Sequence, residues 1–182
     1  MDAKLKRGAF LDRDGVINET IFDNGVNRPP KSIDEIVIID GVTDSIKNLE
    51  ELRVIPIIVT NQPDVARGTT TQIEVNEINT RIKELTGIQH VYTCFHDDLD
   101  KCLCRKPKPG LLLKATEDLG LDLRRSFLVG DRWRDIEAGQ NLGIDSFFID
   151  SLKNEKKPNA PYTLVQSLFE AVNLIMGDSD DF

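Results

Sequence analysis

Short apolar runs and amphipathic segments alternate along the chain, and each pattern predicts one kind of element. Consecutive apolar residues between polar flanks predict strands buried on both faces. Such strands are predicted at Ala9–Leu11, Ile57–Val59, Val91–Tyr92, Ser126–Val129 and Phe147–Ile149. Apolar residues at three- and four-residue spacing predict helices. These are predicted at 42–52, 71–87, 109–120, 134–142 and 164–175.

Local signals sharpen two of these predictions. Thr71 followed three residues later by Glu74 is a capping box, so a helix is expected to begin there. Its expected buried face carries Ile78, Ile82 and Leu85. Pro56 directly precedes the second strand and cannot donate to a ladder, so the strand is expected to begin or bulge at that residue.

The alternation of strands and helices predicts the fold class. It favours a Rossmann-like, three-layer α/β sandwich in which helices cover both faces of a central parallel sheet. In such folds ligands bind at the carboxyl ends of the strands. Residues 1–177 are expected to form this single domain, and the acidic residues 178–182 a solvated tail.

Composition narrows the classes of function. The 182 residues are 40% hydrophobic and 30% charged, which is typical of a globular domain. There is no apolar run long enough to cross a bilayer and no hydrophobic stretch of the signal-peptide kind, so no membrane association and a cytoplasmic location are expected. The formal net charge of -8 argues against nucleic acid as a partner. Without a heptad pattern or an interface segment, a monomer is the default expectation.

Polar residues follow the first predicted strand in a pattern that suits a metal. Asp12 and Asp14 are separated by one residue and followed by Gly15. Carboxylate oxygens are preferred ligands of Mg²⁺, so this turn is a candidate magnesium site. The alternative is an ordinary solvated turn, which a short motif of this kind often is.

Three later segments add groups that suit a phosphate. Hydroxyl and amide groups follow the second strand at Thr60, Asn61 and Gln62, and they could bind phosphoryl oxygens. Arg105 and Lys106 stand at a helix entry, where cations and the helix N-terminus would neutralise phosphate charge. Asp131 ends the fourth strand, and Asp135, one helical turn further on, could assist the metal directly or through water. Taken singly, each segment also fits an ordinary turn.

The cysteines indicate a second metal. All 3 fall within eleven residues, as Cys94-Phe95-His96 and Cys102-Leu103-Cys104. An odd, clustered set is a poor disulfide framework, and three thiolates with one imidazole can close a tetrahedral zinc site. Such a site would be structural, because protein ligands fill all four positions. The alternative is reduced thiols beside a surface histidine. His90 lies outside this spacing and is interpreted as a structural or surface histidine.

The order of these segments resembles the haloacid-dehalogenase (HAD) superfamily of phosphohydrolases. The resemblance covers about 9–149 and is closest to the branch of the heptose-1,7-bisphosphate and histidinol-phosphate phosphatases, which have no large cap domain. It is carried by Phe10–Asn18 (FLDRDGVIN), Val59–Gln62 (VTNQ), Ala66–Gly68 (ARG), Cys104–Pro107 (CRKP) and Val129–Asp131 (VGD).

The resemblance implies a magnesium-dependent phosphatase that acts on a small phosphorylated metabolite. Asp12 would be the nucleophile, and Asp14 the general acid and base. Asp12, Asp131 and the backbone carbonyl of Asp14 would hold Mg²⁺. Thr60 and Lys106 would bind the phosphoryl group. The substrate-binding side chains would be those of Arg13, Asn61, Gln62, Arg105 and Arg132. This branch often carries zinc at the position of the cysteine loop, here residues 94–104.

Substrate identity is the open question. The segment 19–31 looks longer than in the heptose-bisphosphate pattern, and Pro63-Asp64-Val65 replaces a small Ser-Gly-Ile. We expect short loops to set specificity. The candidates for binding a second anionic group are Arg28, Arg67, Arg105 and Arg132; some of them could instead be surface arginines, and for Arg28 the two interpretations are equal. A sugar phosphate, such as a heptose bisphosphate used in surface-polysaccharide precursor synthesis, is the first hypothesis, and histidinol phosphate or another phosphorylated small metabolite is the second. A silent binding protein and a polynucleotide-end phosphatase are the alternatives of other classes.

Overall fold

The computed structural model describes residues 5–151 and 156–177 and contains eight strands and five α-helices within these ranges. The strands are β1 (Arg7–Leu11), β2 (Ile21–Asp23), β3 (Val26–Arg28), β4 (Val54–Asn61), β5 (His90–Cys94), β6 (Phe127–Gly130), β7 (Asp145–Ile149) and β8 (Thr163–Val165). The helices are α1 (Val42–Glu51), α2 (Gln72–Thr86), α3 (Gly110–Leu119), α4 (Trp133–Gln140) and α5 (Leu168–Gly177).

Six strands form one parallel sheet in the order β5-β4-β1-β6-β7-β8. The chain first builds outward from β1 to β4 and β5, and then crosses back to place β6 on the other side of β1. The carboxyl end of β1 is therefore a topological switch point, where a crevice opens in sheets of this type. The residue that follows β1 is Asp12.

Two apolar clusters make this a three-layer sandwich, as predicted. One packs α1, α2 and α5 against one face of the sheet, and the other packs α3 and α4 against the opposite face. The inner strands read as continuous apolar runs because both of their faces are covered.

Three local predictions are wrong. The second strand begins at Val54 and continues through Pro56. The strand tolerates the proline because at Pro56 it pairs only with β1, and its pairing with β5 begins one residue later, at Ile57. Leu164 and Val165 lie in β8 beside β7, and the last helix begins only at Leu168. Leu85 is 39% exposed, whereas polar Asn79 joins Ile78 and Ile82 on the buried face of α2. The capping box that begins this helix is confirmed.

The segment 19–31 forms an antiparallel hairpin, β2-β3, at the carboxyl edge of the sheet. Its turn residues Asn24 and Gly25 both have positive φ, as a type I′ hairpin turn requires. Apart from this hairpin, residues 5–151 and 156–177 add no separate cap unit to the sandwich. None of the helices in these ranges has the length and apolar character that a bilayer crossing demands. The predicted tail at 178–182 lies outside the described residues.

Candidate active site

Four charged side chains meet at the switch point: Lys106, Asp12, Asp131 and Asp135. Lys106 arrives from the loop before α3 and is 1% exposed. Its ammonium Nζ donates to Asp12 Oδ1 at 2.7 Å and to the carbonyl oxygen of Val59 at 2.6 Å, and it pairs with Asp135 Oδ1 at 2.6 Å. Each of the three ammonium protons therefore has an acceptor, and the hydrogen bond from Lys106 holds Asp12 at the floor of the site.

The remaining carboxylate of this group has no such partner. Asp131 is 1% exposed, and neither of its side-chain oxygens has a hydrogen-bond partner. Asp135, in contrast, accepts from the backbone N–H of Arg132 at 2.9 Å as well as pairing with Lys106. A buried, unpartnered carboxylate is costly, so Asp131 indicates a group that the protein is built to receive.

Charge balance supports a divalent cation as that group. Oxygens of Asp12, Asp131 and Asp135 all lie within 4.8 Å of one another. With one ammonium among three carboxylates, two negative charges are left uncompensated when all three are ionised. Mg²⁺ prefers carboxylate oxygens and carries the matching charge. Gly15 keeps the site open, since a Cβ there would overlap the Asp131 carboxylate.

The same burial governs proton affinity. Desolvation raises the pKa of Asp12 to about 6, with Asp135 and Asp14 acting in the same direction and Lys106 opposing them. Desolvation and the charge of Asp12 raise the pKa of Asp131 well above its ordinary value. Burial alone would lower the pKa of Lys106, but Asp12 and Asp135 outweigh it and raise that pKa. The lysine is therefore cationic, and a bound cation would favour ionised carboxylates beside it.

Asp14 stands at the cavity wall and is held by three side chains. Arg13 donates to both of its carboxylate oxygens at 3.0 to 3.2 Å. Asn18 Nδ2 donates to Oδ1 at 3.0 Å, and Gln62 Nε2 donates to Oδ2 at 2.8 Å. The Asp14 side chain is outside the three-carboxylate group, so the prediction that its backbone carbonyl holds the metal stays a prediction.

Arg13 does not occupy the place predicted for it. Its side chain is fully buried and does not line the cavity, and its guanidinium is spent on Asp14 and Asn79. The predicted substrate contact therefore finds no support in this geometry. Because the Arg13 guanidinium binds the Asp14 carboxylate and lies outside the cavity lining, the arginine orients Asp14 instead of contacting a substrate.

Thr60 and Asn61, at the end of β4, have different tasks: one serves the cavity and the other holds the loop that carries Lys106. Thr60 lines the cavity, and its Oγ1 accepts from Gln62 Nε2 at 2.9 Å. Asn61 also borders the cavity, but its side-chain amide makes two 3.1 Å hydrogen bonds with the backbone of Lys106. Asn61 thus fastens the Lys106 loop to β4, whereas Thr60 lies at the cavity.

The cavity above these residues measures about 320 Å³ and has a rim of arginines. Three segments of the chain supply these arginines, and all of them line the cavity: Arg67, Arg105, and the pair Arg132 and Arg134 at the start of α4. Two consecutive carboxylates of the cysteine loop organise this rim.

Asp97 and Asp98 hold three of the rim arginines. Asp97 accepts from Arg67 at 2.7 and 2.9 Å. Asp98 accepts from Arg105 Nε at 2.8 Å and from both terminal nitrogens of Arg134 at 3.1 Å. The rim is therefore a preorganised cationic edge that lies beside an otherwise acidic floor.

The β2-β3 hairpin forms another wall of the cavity through residues 26–29. Arg28 lies in this wall, but its guanidinium is occupied by Asp23 and by both carboxylate oxygens of Glu35, at 2.8 to 3.2 Å. These hydrogen bonds with Glu35 raise the pKa of Arg28 and lower that of Glu35 to about 2. Arg28 thus fastens the hairpin to the segment before α1.

The cysteine loop forms a compact ligand cluster. Cys94 Sγ lies 3.8 Å from Cys102 Sγ and 3.2 Å from Cys104 Sγ. His96 Nδ1 lies 3.6 Å from Cys94 Sγ and 3.3 Å from Cys104 Sγ. Tetrahedral zinc with ordinary bond lengths needs separations of about 3.6 to 3.8 Å between such ligands. Two of the four separations lie in that range and two are shorter, so the cluster brings together the ligand types of a zinc site in a tighter arrangement.

Two groups of the site escaped sequence reasoning. Asn79, on α2, contacts Arg13 and has no motif around it; the one available signal was a polar residue on an apolar helix face. Asp97 and Asp98 organise the arginine rim, yet in the sequence they resemble solvated loop residues. His90 lies in β5, and burial lowers its pKa, in line with a structural role.

Fold and site together define a class. A parallel α/β sandwich with an aspartate after its central strand, and a lysine and carboxylates from later strand ends, has the arrangement of a HAD-type hydrolase. The HAD-hydrolase-like family model matches residues 103–171.

Known proteins extend the match over the whole chain. The D-glycero-beta-D-manno-heptose-1,7-bisphosphate 7-phosphatase of Pasteurella multocida (strain Pm70) is 32% identical over 191 residues, covering 95% of this chain and 98% of that protein. The D-glycero-alpha-D-manno-heptose-1,7-bisphosphate 7-phosphatase of Campylobacter jejuni is 32% identical over 172 residues, covering 92% and 94%. The chain belongs to the HAD family of phosphatases.

A solved structure shares the fold. The D,D-heptose 1,7-bisphosphate phosphatase of B. bronchiseptica, complexed with magnesium and phosphate, superposes with a TM-score of 0.81 and 24% sequence identity. The superposition covers 94% of this chain and 99% of that one. The three-layer sandwich without a large cap is therefore common to both proteins.

Proposed function

We propose that the protein hydrolyses a phosphomonoester through an aspartyl-phosphate on Asp12. The observation that carries the proposal is the buried group of Asp12, Asp131 and Asp135 around Lys106, in which the Asp131 carboxylate is unpartnered. Phosphoryl transfer needs positioning and charge neutralisation more than elaborate covalent chemistry. A fixed carboxylate nucleophile beside a buried ammonium meets that need.

Each side chain has a distinct task in this reaction. A carboxylate oxygen of Asp12 attacks phosphorus, and the bond to the leaving alkoxide breaks. Asp14 gives its proton to that oxygen and then takes a proton from the water that hydrolyses the intermediate. Thr60 binds a phosphoryl oxygen, Lys106 binds another in place of one of its three present partners, and Gln62 aligns Thr60 with Asp14.

The cation is Mg²⁺ in this proposal. Asp12 and Asp131 would hold it, with the backbone carbonyl of Asp14 as the further ligand. Bound there, it would offset the repulsion between the anionic substrate and Asp12 and stabilise charge in the transition state. The B. bronchiseptica phosphatase was crystallised with magnesium and phosphate, which agrees with this choice.

We propose Zn²⁺ for the cysteine loop, held by Cys94, His96, Cys102 and Cys104. Its role would be structural, because the protein supplies all four ligands. The loop ends directly before Arg105 and Lys106, so zinc would fix the segment that presents both cations to the cavity.

For the substrate, we propose the 7-phosphate of D-glycero-D-manno-heptose 1,7-bisphosphate. The relatives named above act on this compound, as the alpha anomer in one case and the beta anomer in the other. The cationic rim formed by Arg67, Arg105, Arg132 and Arg134 suits a second anionic group at a distance from the reacting phosphate. In this role the protein would contribute to lipopolysaccharide precursor biosynthesis.

The proposed catalytic groups all come from one chain. The site needs no second copy, and we propose that the enzyme acts as a monomer, which analytical ultracentrifugation checks. The cytoplasmic location stays a prediction.

The test is phosphate release from a panel of substrates with and without Mg²⁺. The panel contains both anomers of heptose 1,7-bisphosphate, the 1- and 7-monophosphates, histidinol phosphate and a 3′-phosphorylated oligonucleotide. We expect magnesium-dependent release from position 7 of one bisphosphate anomer, with a higher kcat/KM than for the other compounds.

Two variants make the test specific. Asp12→Asn should lower kcat by at least about 10³-fold, because covalent catalysis is lost, while Asp44→Asn makes the same change at an exposed helix carboxylate and should be fully active. Substantial turnover by Asp12→Asn would contradict the nucleophile. Preference for histidinol phosphate or the oligonucleotide would retain the chemistry and overturn the heptose substrate.

A further inference from the structure

A buried polar chain reaches Asp14 from the side opposite the cavity. Arg13 Nη1 donates to Asn79 Oδ1 at 2.8 Å, and Asn79 Nδ2 donates to Thr93 Oγ1 at 3.1 Å. The chain therefore connects β5 and α2 to the loop after β1, and it ends on the carboxylate of Asp14.

The geometry of this chain fixes the plane of the Asp14 carboxylate and also places a positive charge beside it. Arg13 binds the carboxylate through Nε and Nη2, which defines one edge of the guanidinium. The remaining terminal nitrogen is held by Asn79, so rotation of the guanidinium would break that hydrogen bond. A planar fork on a planar carboxylate transmits orientation, and burial leaves few alternative partners for Arg13.

Ordinary packing does not explain Asn79. It is 6% exposed on a helix face that otherwise packs Val75, Ile78 and Ile82 into the core. An apolar residue would fit the pattern of that face, whereas an asparagine there must have its hydrogen bonds satisfied. Both groups of its side-chain amide are satisfied by this chain, which makes the link to Asp14 specific.

We propose that Asn79 is a positioning residue for proton transfer by Asp14, acting through Arg13. The inference rests on the proposed role of Asp14 in the reaction. Asp14 gives its proton to the leaving oxygen while the bond from phosphorus to that oxygen breaks and the bond to Asp12 forms. Misalignment of the Asp14 carboxylate slows this step only where the leaving oxygen needs the proton.

Leaving-group dependence separates positioning from general damage. An alkyl phosphate releases a strongly basic alkoxide and needs the acid, whereas p-nitrophenyl phosphate releases a stable phenolate and does not. The parameter to compare is kcat/KM, because it reports the steps through leaving-group departure and excludes hydrolysis of the intermediate, which both substrates share.

The experiment compares Asn79→Leu with the unaltered enzyme on p-nitrophenyl phosphate, phenyl phosphate and the best alkyl phosphate of the panel. We expect kcat/KM to fall about tenfold for the alkyl ester, a part of the ~10² to 10⁴ that general acid catalysis supplies. It should fall less than about twofold for p-nitrophenyl phosphate. Asn79→Asp keeps the acceptor for Arg13 and should restore most of the alkyl-ester activity.

Two further variants keep the test decisive. If Asn79→Leu fails to fold, Thr93→Val removes the outer acceptor with little change of shape and should give a smaller effect with the same leaving-group dependence. Asp14→Asn is the reference and should show the largest dependence. Equal losses on all three esters in a folded Asn79 or Thr93 variant would overturn the positioning role. Absence of the dependence in Asp14→Asn would instead overturn the proposed role of Asp14.

Discussion

Arginines in and around this site show that the partners of a side chain decide its task. Arg13 is buried and oriented on Asp14, and Arg28 is fully engaged by Asp23 and Glu35. Arg105 keeps an edge on the cavity although Asp98 holds its Nε. In the sequence, all three look like candidates for phosphate binding. Lys106 and Asp131 differ in the same way, because the lysine is saturated with partners and the aspartate has none.

This contrast predicts opposite effects on stability in the absence of Mg²⁺. Lys106→Met should destabilise the protein by about 3 to 5 kcal/mol, because it leaves Asp12 and Asp135 buried without their cation. Asp131→Asn should stabilise it by on the order of 2 kcal/mol, because it removes an unpaired buried charge. Urea unfolding in EDTA measures both, and a loss of stability in Asp131→Asn would contradict the charge argument.

The gain in folding stability from Asp131→Asn should depend on pH. Because the pKa of Asp131 is raised in the folded state, ionisation of this group costs folded stability. The cost is absent below the ordinary value of 3.8, grows as the pH rises from there to the raised pKa, and is constant above it. Asp12, with its pKa of about 6, acts in the same direction. The stability difference between the variant and the unaltered protein should therefore vanish in acid and be largest at pH values above the raised pKa of Asp131.

The loop 94–104 links an element of the fold to the chemistry. It begins in β5, carries the four residues proposed as zinc ligands, and leads into Arg105 and Lys106. Between its ligands lie Asp97 and Asp98, which hold arginines from two other segments. Loss of the metal should therefore disturb the rim of the cavity as well as the loop itself.

Cys102→Ser tests this coupling. We expect loss of bound zinc, a melting temperature lower by several degrees, and a rise in KM larger than the fall in kcat, since Asn61 still fastens the backbone of Lys106. Leu99→Ala, at a 90% exposed position of the same loop, is the matched control and should retain zinc and activity. Metal analysis that finds no zinc in the unaltered protein would refute the zinc assignment.

The fold could be predicted because its signals are local and repeated. Apolar runs marked five strands of the parallel sheet, and the end of β1 led to the position of Asp12. Sequence reasoning failed where the signal was short or ambiguous. Leu164 and Val165 fit a helix as well as a strand, although Ser167 and Glu170 form a capping signal that places the helix start after them.

The candidate site was less accessible to sequence reasoning where several segments meet. Asn24-Gly25 is a hairpin signal that fits the turn observed between β2 and β3. No local pattern, however, could reveal that Asn79 touches Arg13, because a helix and a distant loop supply the two residues. The saturation of Arg28 likewise depends on Glu35, which tertiary packing brings near it.

Cation binding should stabilise the whole molecule, because the proposed ligands belong to segments on both sides of the switch point. Asp12 follows β1 and Asp131 follows β6, while Lys106 ties the loop after β5 to the same place. A ligand that binds only the folded state stabilises it by about 2.7 kcal/mol at a concentration of 100 Kd. For a chain of this size, that corresponds to a rise in melting temperature of roughly 5 to 10 °C.

A thermal titration with MgCl₂ therefore reports the site independently of any substrate. The melting temperature should climb with the logarithm of Mg²⁺ concentration once the site is filled, and Asp131→Asn should remove this dependence. The remote variant Asp44→Asn should keep it, because that carboxylate lies on the exposed face of α1. A response that Asp131→Asn leaves unchanged would mean that the cation binds elsewhere, and the unpartnered carboxylate would then need another explanation.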